Sequence, residues 1–219
     1  MNLPNKLTII RIILIPVFIA LFFIPFDWNK LAAMIVFAVA CLTDFFDGYI
    51  ARKENLVTQL GKFLDPMADK MIVACALIAL CVTTPVVDDP AVFTVCVTVF
   101  SMLILCRELL ISGFRTVAAN RGLVLAADMF GKTKTVSQMV ALILLLPVED
   151  YFYVAGNPAA ARIVYYVGFS FLALATLLTV MSSINYIVRN RAVLGDEKPQ
   201  SASAAQDGET KIDTDKESE

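Results

Sequence analysis

The 219-residue chain is 58% hydrophobic and only 17% charged, with a mean hydropathy of +0.74, far from the roughly 45–50% apolar and 25% charged make-up of a soluble domain. Its formal net charge of −2 divides unevenly: residues 196–219 hold eight acidic residues against three Lys, and the rest carries fifteen basic against twelve acidic. The absence of histidine excludes Ser-His-Asp and Cys-His catalysis, imidazole-ligated zinc and haem, and a neutral-pH imidazole switch, leaving an apolar, mildly basic membrane body with an acidic tail.

Crossing the hydrocarbon core takes about 20 mostly apolar residues as helix. Six stretches qualify, 7–25, 31–51, 64–84, 91–113, 135–149 with its flanks, and 162–188. The first is too long for a signal-peptide core, contains Arg11 and is followed by no A-x-A-like cleavage site, so it is expected to be retained. Pro4 and Asn5 suit its start, as block and cap. Thr8 and Arg11 share a face, which a capped entrance with a snorkelling Arg11 would explain. Phe22, Phe23, Phe26 and Trp28 at its far end read as an interfacial aromatic belt, as do Tyr151, Phe152, Tyr153, Tyr165 and Tyr166. The five cysteines (Cys41, Cys75, Cys81, Cys96, Cys106) lie in apolar runs without a C-x-x-C pair and read as small buried hydrophobes.

Lys30 and Arg162 fall on one side with Asp88, Asp89, Glu149 and Asp150. Lys6, Arg52, Lys53, Arg115, Arg121, Lys132, Lys134, Arg189 and Arg191 fall on the other. The positive-inside rule then makes both termini cytoplasmic, as an even number of spans requires. The expectation is an all-α integral membrane protein with six transmembrane helices in one domain, 1–195. The tail, 196–219, has no large apolar residue apart from Ile212 and is expected to be disordered and solvating.

The informative residues are charges inside the apolar runs. Asp44 and Asp47 interrupt the second span, and Asp65 and Asp69 stand where the third begins. An ionised carboxylate at membrane depth costs at least about 2.5–3.5 kcal/mol on insertion scales. The pairs are spaced i,i+3 and i,i+4, so each shares one helix face. The short loop between the spans makes the helices antiparallel neighbours, with all four acids at one depth. Carboxylates gathered there repel unless cations bind. Oxygen donors alone suit a hard ion, Mg²⁺ or Mn²⁺, and two ions sharing bridging carboxylates would fit the charge and serve phosphoryl chemistry. Gly48 lets a ligand approach the backbone, and Arg52, one turn on, is placed to meet a phosphate. Further along, Arg107 is flanked by apolar residues and Arg115 lies two turns beyond on one face. With Lys132 and Lys134 they would form a cationic pocket for a phosphate-bearing acceptor.

The run Asp44-x₂-Asp47-Gly48-x₂-Ala51-Arg52-x₈-Gly61-x₃-Asp65-x₃-Asp69 resembles the signature of the CDP-alcohol phosphatidyltransferases at every fixed position. The resemblance implies six transmembrane helices, usually in a homodimer, and transfer of a phosphatidyl group from CDP-diacylglycerol to an alcohol with release of CMP. It further implies that Asp44, Asp47 and Asp65 hold the metals, that Asp69 is shared between metal binding and proton abstraction, and that Gly48, Ala51, Arg52 and Gly61 line the CDP site.

The segments around Arg107, Arg115, Lys132 and Lys134, and the N-terminal Pro4-Asn5-x-Leu7-Thr8-x₂-Arg11, resemble the branch of that family whose acceptor is glycerol 3-phosphate. Asn5 and Thr8 then join the CDP-lipid site. The implied location is the cytoplasmic membrane, multi-pass among its lipids, with the active site facing the cytoplasm and no nucleic-acid partner. Two alternatives stay open. Another acceptor, an inositol phosphate or serine, is one, although serine has no use for four cations. A cation transporter is the other, although transporters usually place such acids near the midplane on broken helices.

Overall fold

The computed structural model describes residues 3–54, 59–87, 89–120 and 129–189. Side chains are described for these residues other than 3–7, 44–54, 59–66, 69, 117, 119, 120, 129–132, 187 and 189. All the regular structure among the described residues is helical: α1 (Leu3–Phe23), α2 (Asn29–Glu54), α3 (Gln59–Cys81), α4 (Pro90–Asn120), α5 (Met129–Leu145), α6 (Val148–Tyr153) and α7 (Pro158–Arg189). Within the described residues, the segments Pro90–Thr116, Thr133–Tyr153 and Pro158–Tyr186 are long and apolar enough to cross a membrane, and Thr8–Phe23, Asn29–Thr43 and Lys70–Cys81 are shorter apolar helices. The tail 196–219 lies outside the described residues.

Two boundaries differ from expectation for identifiable reasons. Helix α1 starts at Leu3 and takes in Pro4 and Asn5, because the first turn of a helix has no intrahelical use for a proline N–H. The run expected as a span over 135–149 with its flanks is one apolar segment, Thr133–Tyr153, but two helices. Helix α5 begins at Met129 and stops at Leu145, and Pro147 stands at the N-cap of the six-residue α6, since its ring cannot continue the preceding helix.

The most extensive packing is α5 against α7, followed by α1 against α2 and α3, then α7 and α3 against α4. Gly168 allows the first of these. A Cβ built there would meet Leu145 Cγ at 2.8 Å and Leu144 Cβ at 3.1 Å, so the leucine side chains of α5 seat directly on α7 because α7 carries no side chain at that point. The core joins Phe18 and Phe37, rings 6.3 Å apart across α1 and α2, to Ile72, Leu77, Ile104, Leu142 and Leu172.

Two residues expected in an aromatic belt are core residues instead. Phe22 is buried against Phe18, and Tyr165 is buried in a cluster with Phe93 and Phe169. Phe23, Phe26, Trp28, Tyr153 and Tyr166 are exposed. The cysteines are free thiols, partly buried except for exposed Cys106.

At the end of the bundle remote from the acids, α6 clamps α2. The buried Asp150 accepts a hydrogen bond from the Leu31 backbone N–H at 2.7 Å, which serves one of the donors a helix start leaves over. Lys30 pairs with Glu149, which also accepts the Thr84 N–H. Asn29 donates to the carbonyls of Phe22 and Ile24 at 3.0 and 3.1 Å, closing the α1–α2 turn.

Candidate active site

Asp44 and Asp47 stand in the second half of α2 and Asp65 and Asp69 in the first half of α3, in uninterrupted helix. The i,i+3 and i,i+4 spacings are therefore real same-face positions, on two helices that pack against each other. The side chains of these four acids, and of Asn5, Gly48, Ala51, Arg52, Gly61 and Lys132, lie outside the described residues. Among the described residues no three His, Cys, Asp or Glu side chains converge on an ion position. As a donor set, four carboxylates carried at one end of two packed helices fit a hard divalent ion.

Helix α1 packs on both acid-bearing helices more extensively than they pack on each other. It contributes Thr8 and Arg11, each only 1% exposed. A guanidinium at that exposure is not snorkelling to the interface as a simple entrance would have it; it is part of the interior of a helix that packs on α2 and α3.

Of the cations expected to meet the acceptor, Arg107 and Lys134 meet on one carboxylate between α4 and α5, and Arg115 lies apart against α7. Arg107 donates to Ser183 Oγ and Ser182 Oγ, each at 3.2 Å, and its Nη1 lies 3.6 Å from Glu108 Oε1. Lys134, 1% exposed, is ion-paired with the same carboxylate oxygen. Two turns along α4, Arg115 donates to Tyr186 OH at 3.4 Å and lies over that ring, 5.7 Å from its centroid. Both arginines thus reach α7 from one face of α4. The hydroxyls that receive Arg107 belong to a polar seam on α7, where Thr176, Thr179 and Ser183 also donate to the carbonyl one turn back.

The arrangement differs from four unopposed cations, because it contains its own carboxylate. Glu108 holds Lys134 and Arg107 in place before any ligand arrives, and a buried ammonium requires such a partner. Lys70, which directly follows Asp69, donates to Ser112 Oγ on α4, so one residue step links the acid motif to this cluster. Lys70 and Glu108 were not candidates from sequence. A Lys beside an Asp and a Glu beside an Arg each look like ordinary neighbour compensation.

The sequence profile of the CDP-alcohol phosphatidyltransferases matches residues 1–184. Among characterised relatives, one from Bacillus subtilis (strain 168) is 39% identical over 86% of this chain and 95% of its own length. Another from Rickettsia bellii is 41% identical over 84% of this chain and 93% of its own. A third, from Escherichia coli K12, is 36% identical over 90% and 98%. Each of the three is named CDP-diacylglycerol–glycerol-3-phosphate 3-phosphatidyltransferase.

Proposed function

The chain belongs to the CDP-alcohol phosphatidyltransferase family, and we propose that it transfers the phosphatidyl group of CDP-diacylglycerol to sn-glycerol 3-phosphate, giving phosphatidylglycerophosphate and CMP. The observation that carries the choice of acceptor is the meeting of Arg107 and Lys134 on Glu108, with Lys70, next to the last Asp of the motif, bonded to Ser112 one turn along α4. A phosphate-bearing alcohol uses those cations, whereas serine leaves them without a task.

Asp44, Asp47, Asp65 and Asp69 would hold Mg²⁺ or Mn²⁺, as two ions. Bound there, the ions offset the charge of the diphosphate and of the departing CMP. Asn5, Thr8, Gly48, Ala51, Arg52 and Gly61 line the CDP side. Arg107, Arg115, Lys132 and Lys134 hold the acceptor phosphate, which fixes its hydroxyl near α3 and removes much of the entropic cost of the encounter. Asp69 takes the hydroxyl proton as the oxygen bonds to the phosphatidyl phosphorus and the bond to CMP breaks. The enzyme works as a six-span homodimer in the cytoplasmic membrane, with this end of the bundle facing the cytoplasm. The clamp of Lys30, Glu149 and Asp150 at the opposite end is the arrangement expected of the external side.

Purified protein supplied with CDP-diacylglycerol, Mg²⁺ and one acceptor at a time tests the reading by CMP release and lipid identification. Turnover is expected with glycerol 3-phosphate, none with serine, and none after EDTA. CMP release with serine but not with glycerol 3-phosphate would overturn the acceptor assignment.

A further inference from the structure

Glu108 stands where an incoming anion would have to stand. On α4, Leu105, Glu108 and Leu109 fall at i, i+3 and i+4 and share one face, and all three line a cavity of about 300 Å³ between α3, α4 and α5. Lys70 lines it from α3 and Thr135 from α5, whereas Lys134 and Arg107 are not among its walls. Exposure follows the same order: the Glu108 side chain is 26% exposed, Arg107 15% and Lys134 2%. The carboxylate therefore lies between the cavity and the two cations it pairs. An anion entering there meets Lys70 directly, but Lys134 only once Glu108 has turned aside.

Arg107 and Lys70 both act on Lys134 through their charge, as Glu108 does, so among the described residues three cations share one carboxylate. The surplus is positive. A carboxylate brings one negative charge and two oxygens, whereas a phosphomonoester brings about −1.5 to −2 charges and three acceptor oxygens. The phosphate is the stronger counter-ion for this cluster, and Glu108 is the one already in place.

We propose that Glu108 is a built-in competitor of the acceptor phosphate. Its carboxylate occupies the phosphate's place beside Lys134 and Arg107 in the resting enzyme, gives way when the phosphate-bearing acceptor binds, and returns as the product leaves. This rests on the acceptor assigned above. The service it performs is release. The product keeps the phosphomonoester of the acceptor, so unopposed cations would hold product as firmly as substrate, and tight binding common to both gives no gain in turnover. A carboxylate on the same helix loosens both.

CMP release as a function of glycerol 3-phosphate, at saturating CDP-diacylglycerol and Mg²⁺, tests the exchange in the wild type and in Glu108→Gln, which keeps the shape and an oxygen for Lys134 but not the charge. KM for glycerol 3-phosphate is expected to fall about tenfold, equivalent to 1.4 kcal/mol, with KM for CDP-diacylglycerol within about twofold. A carboxylate that only ordered the cations would give the opposite sign, since its loss would loosen the pocket. A second arm needs no turnover and no particular alcohol: with inorganic phosphate as the probe and no CDP-linked lipid, the melting temperature should rise further in Glu108→Gln than in the wild type. Should Glu108→Gln misfold, Glu108→Asp, which draws the carboxylate back by one methylene, should lower the acceptor KM about threefold. An acceptor KM unchanged or raised in the active variant, or an equal or smaller rise with phosphate, overturns the proposal. A wild type that fails to use glycerol 3-phosphate while the phosphate arm holds overturns the acceptor assignment and leaves the exchange standing.

Discussion

Glu108 decides how the described cations behave. Lys134 is almost fully buried against it and Arg107 lies within 3.6 Å of it, so Glu108→Ala leaves an ammonium without a counter-charge. Removing one partner of a buried pair typically costs about 3–5 kcal/mol, and because Glu108 is partly exposed the lower end of that range is expected in thermal unfolding. The double variant with Lys134→Met should recover most of the loss, since an apolar residue needs no counter-charge. Arg115 is exposed and leans on Tyr186. Arg115→Ala should therefore leave stability within about 0.5 kcal/mol while raising KM for glycerol 3-phosphate well above any change for CDP-diacylglycerol; equal changes would make its role topological. Asp69→Asn keeps shape and removes basicity, so turnover should vanish while CDP-lipid binding persists, and normal turnover would move the base elsewhere. Arg107 was legible in the sequence because a cation inside an apolar run needs a reason. Glu108 was not, because beside Arg107 it looks like ordinary neighbour compensation and only packing shows that it also pairs with the buried Lys134.

Among the elements, the α5–α7 contact is the most sensitive to volume. Gly168→Ala inserts a methyl group where Leu145 and Leu144 already stand, and overpacking of this kind costs about 1–3 kcal/mol. At Gly113 nothing lies within 4 Å of the place a methyl group would take, so Gly113→Ala should be neutral or stabilising by up to about 1 kcal/mol, as relief of a helical glycine. Melting temperatures of the two variants should therefore move in opposite directions, and a shared direction would mean that helix propensity alone governs both. Hydropathy located α2, α3, α4 and α7, since long apolar runs leave little choice of structure. It also located the run around Pro147, which is one apolar segment over Thr133–Tyr153, but an average over a window does not register one missing N–H, which is what separates α5 from α6 within it. Aromatic belts were misjudged for a related reason. Composition places Tyr165 near an interface but does not say which side of α7 it occupies, and the side toward Phe93 and Phe169 is interior.

Across the whole molecule, the acid motif was legible because spacing alone puts each pair of carboxylates on one side of a helix. The clamp at the other end was not, because Leu31 and Asp150 are 119 residues apart and nothing local joins them. That distant fastening acts as the fulcrum of a lever. From Leu31 to Asp44 the α2 rod runs about 20 Å at 1.5 Å per residue, so a swing of about two degrees at Leu31 displaces Asp44 by about 0.7 Å, beyond the roughly 0.5 Å within which reacting groups must be held. The direction of the α2 acid positions is thereby set in part from the opposite end of the bundle, by a fastening that works together with the packing of α1 along α2.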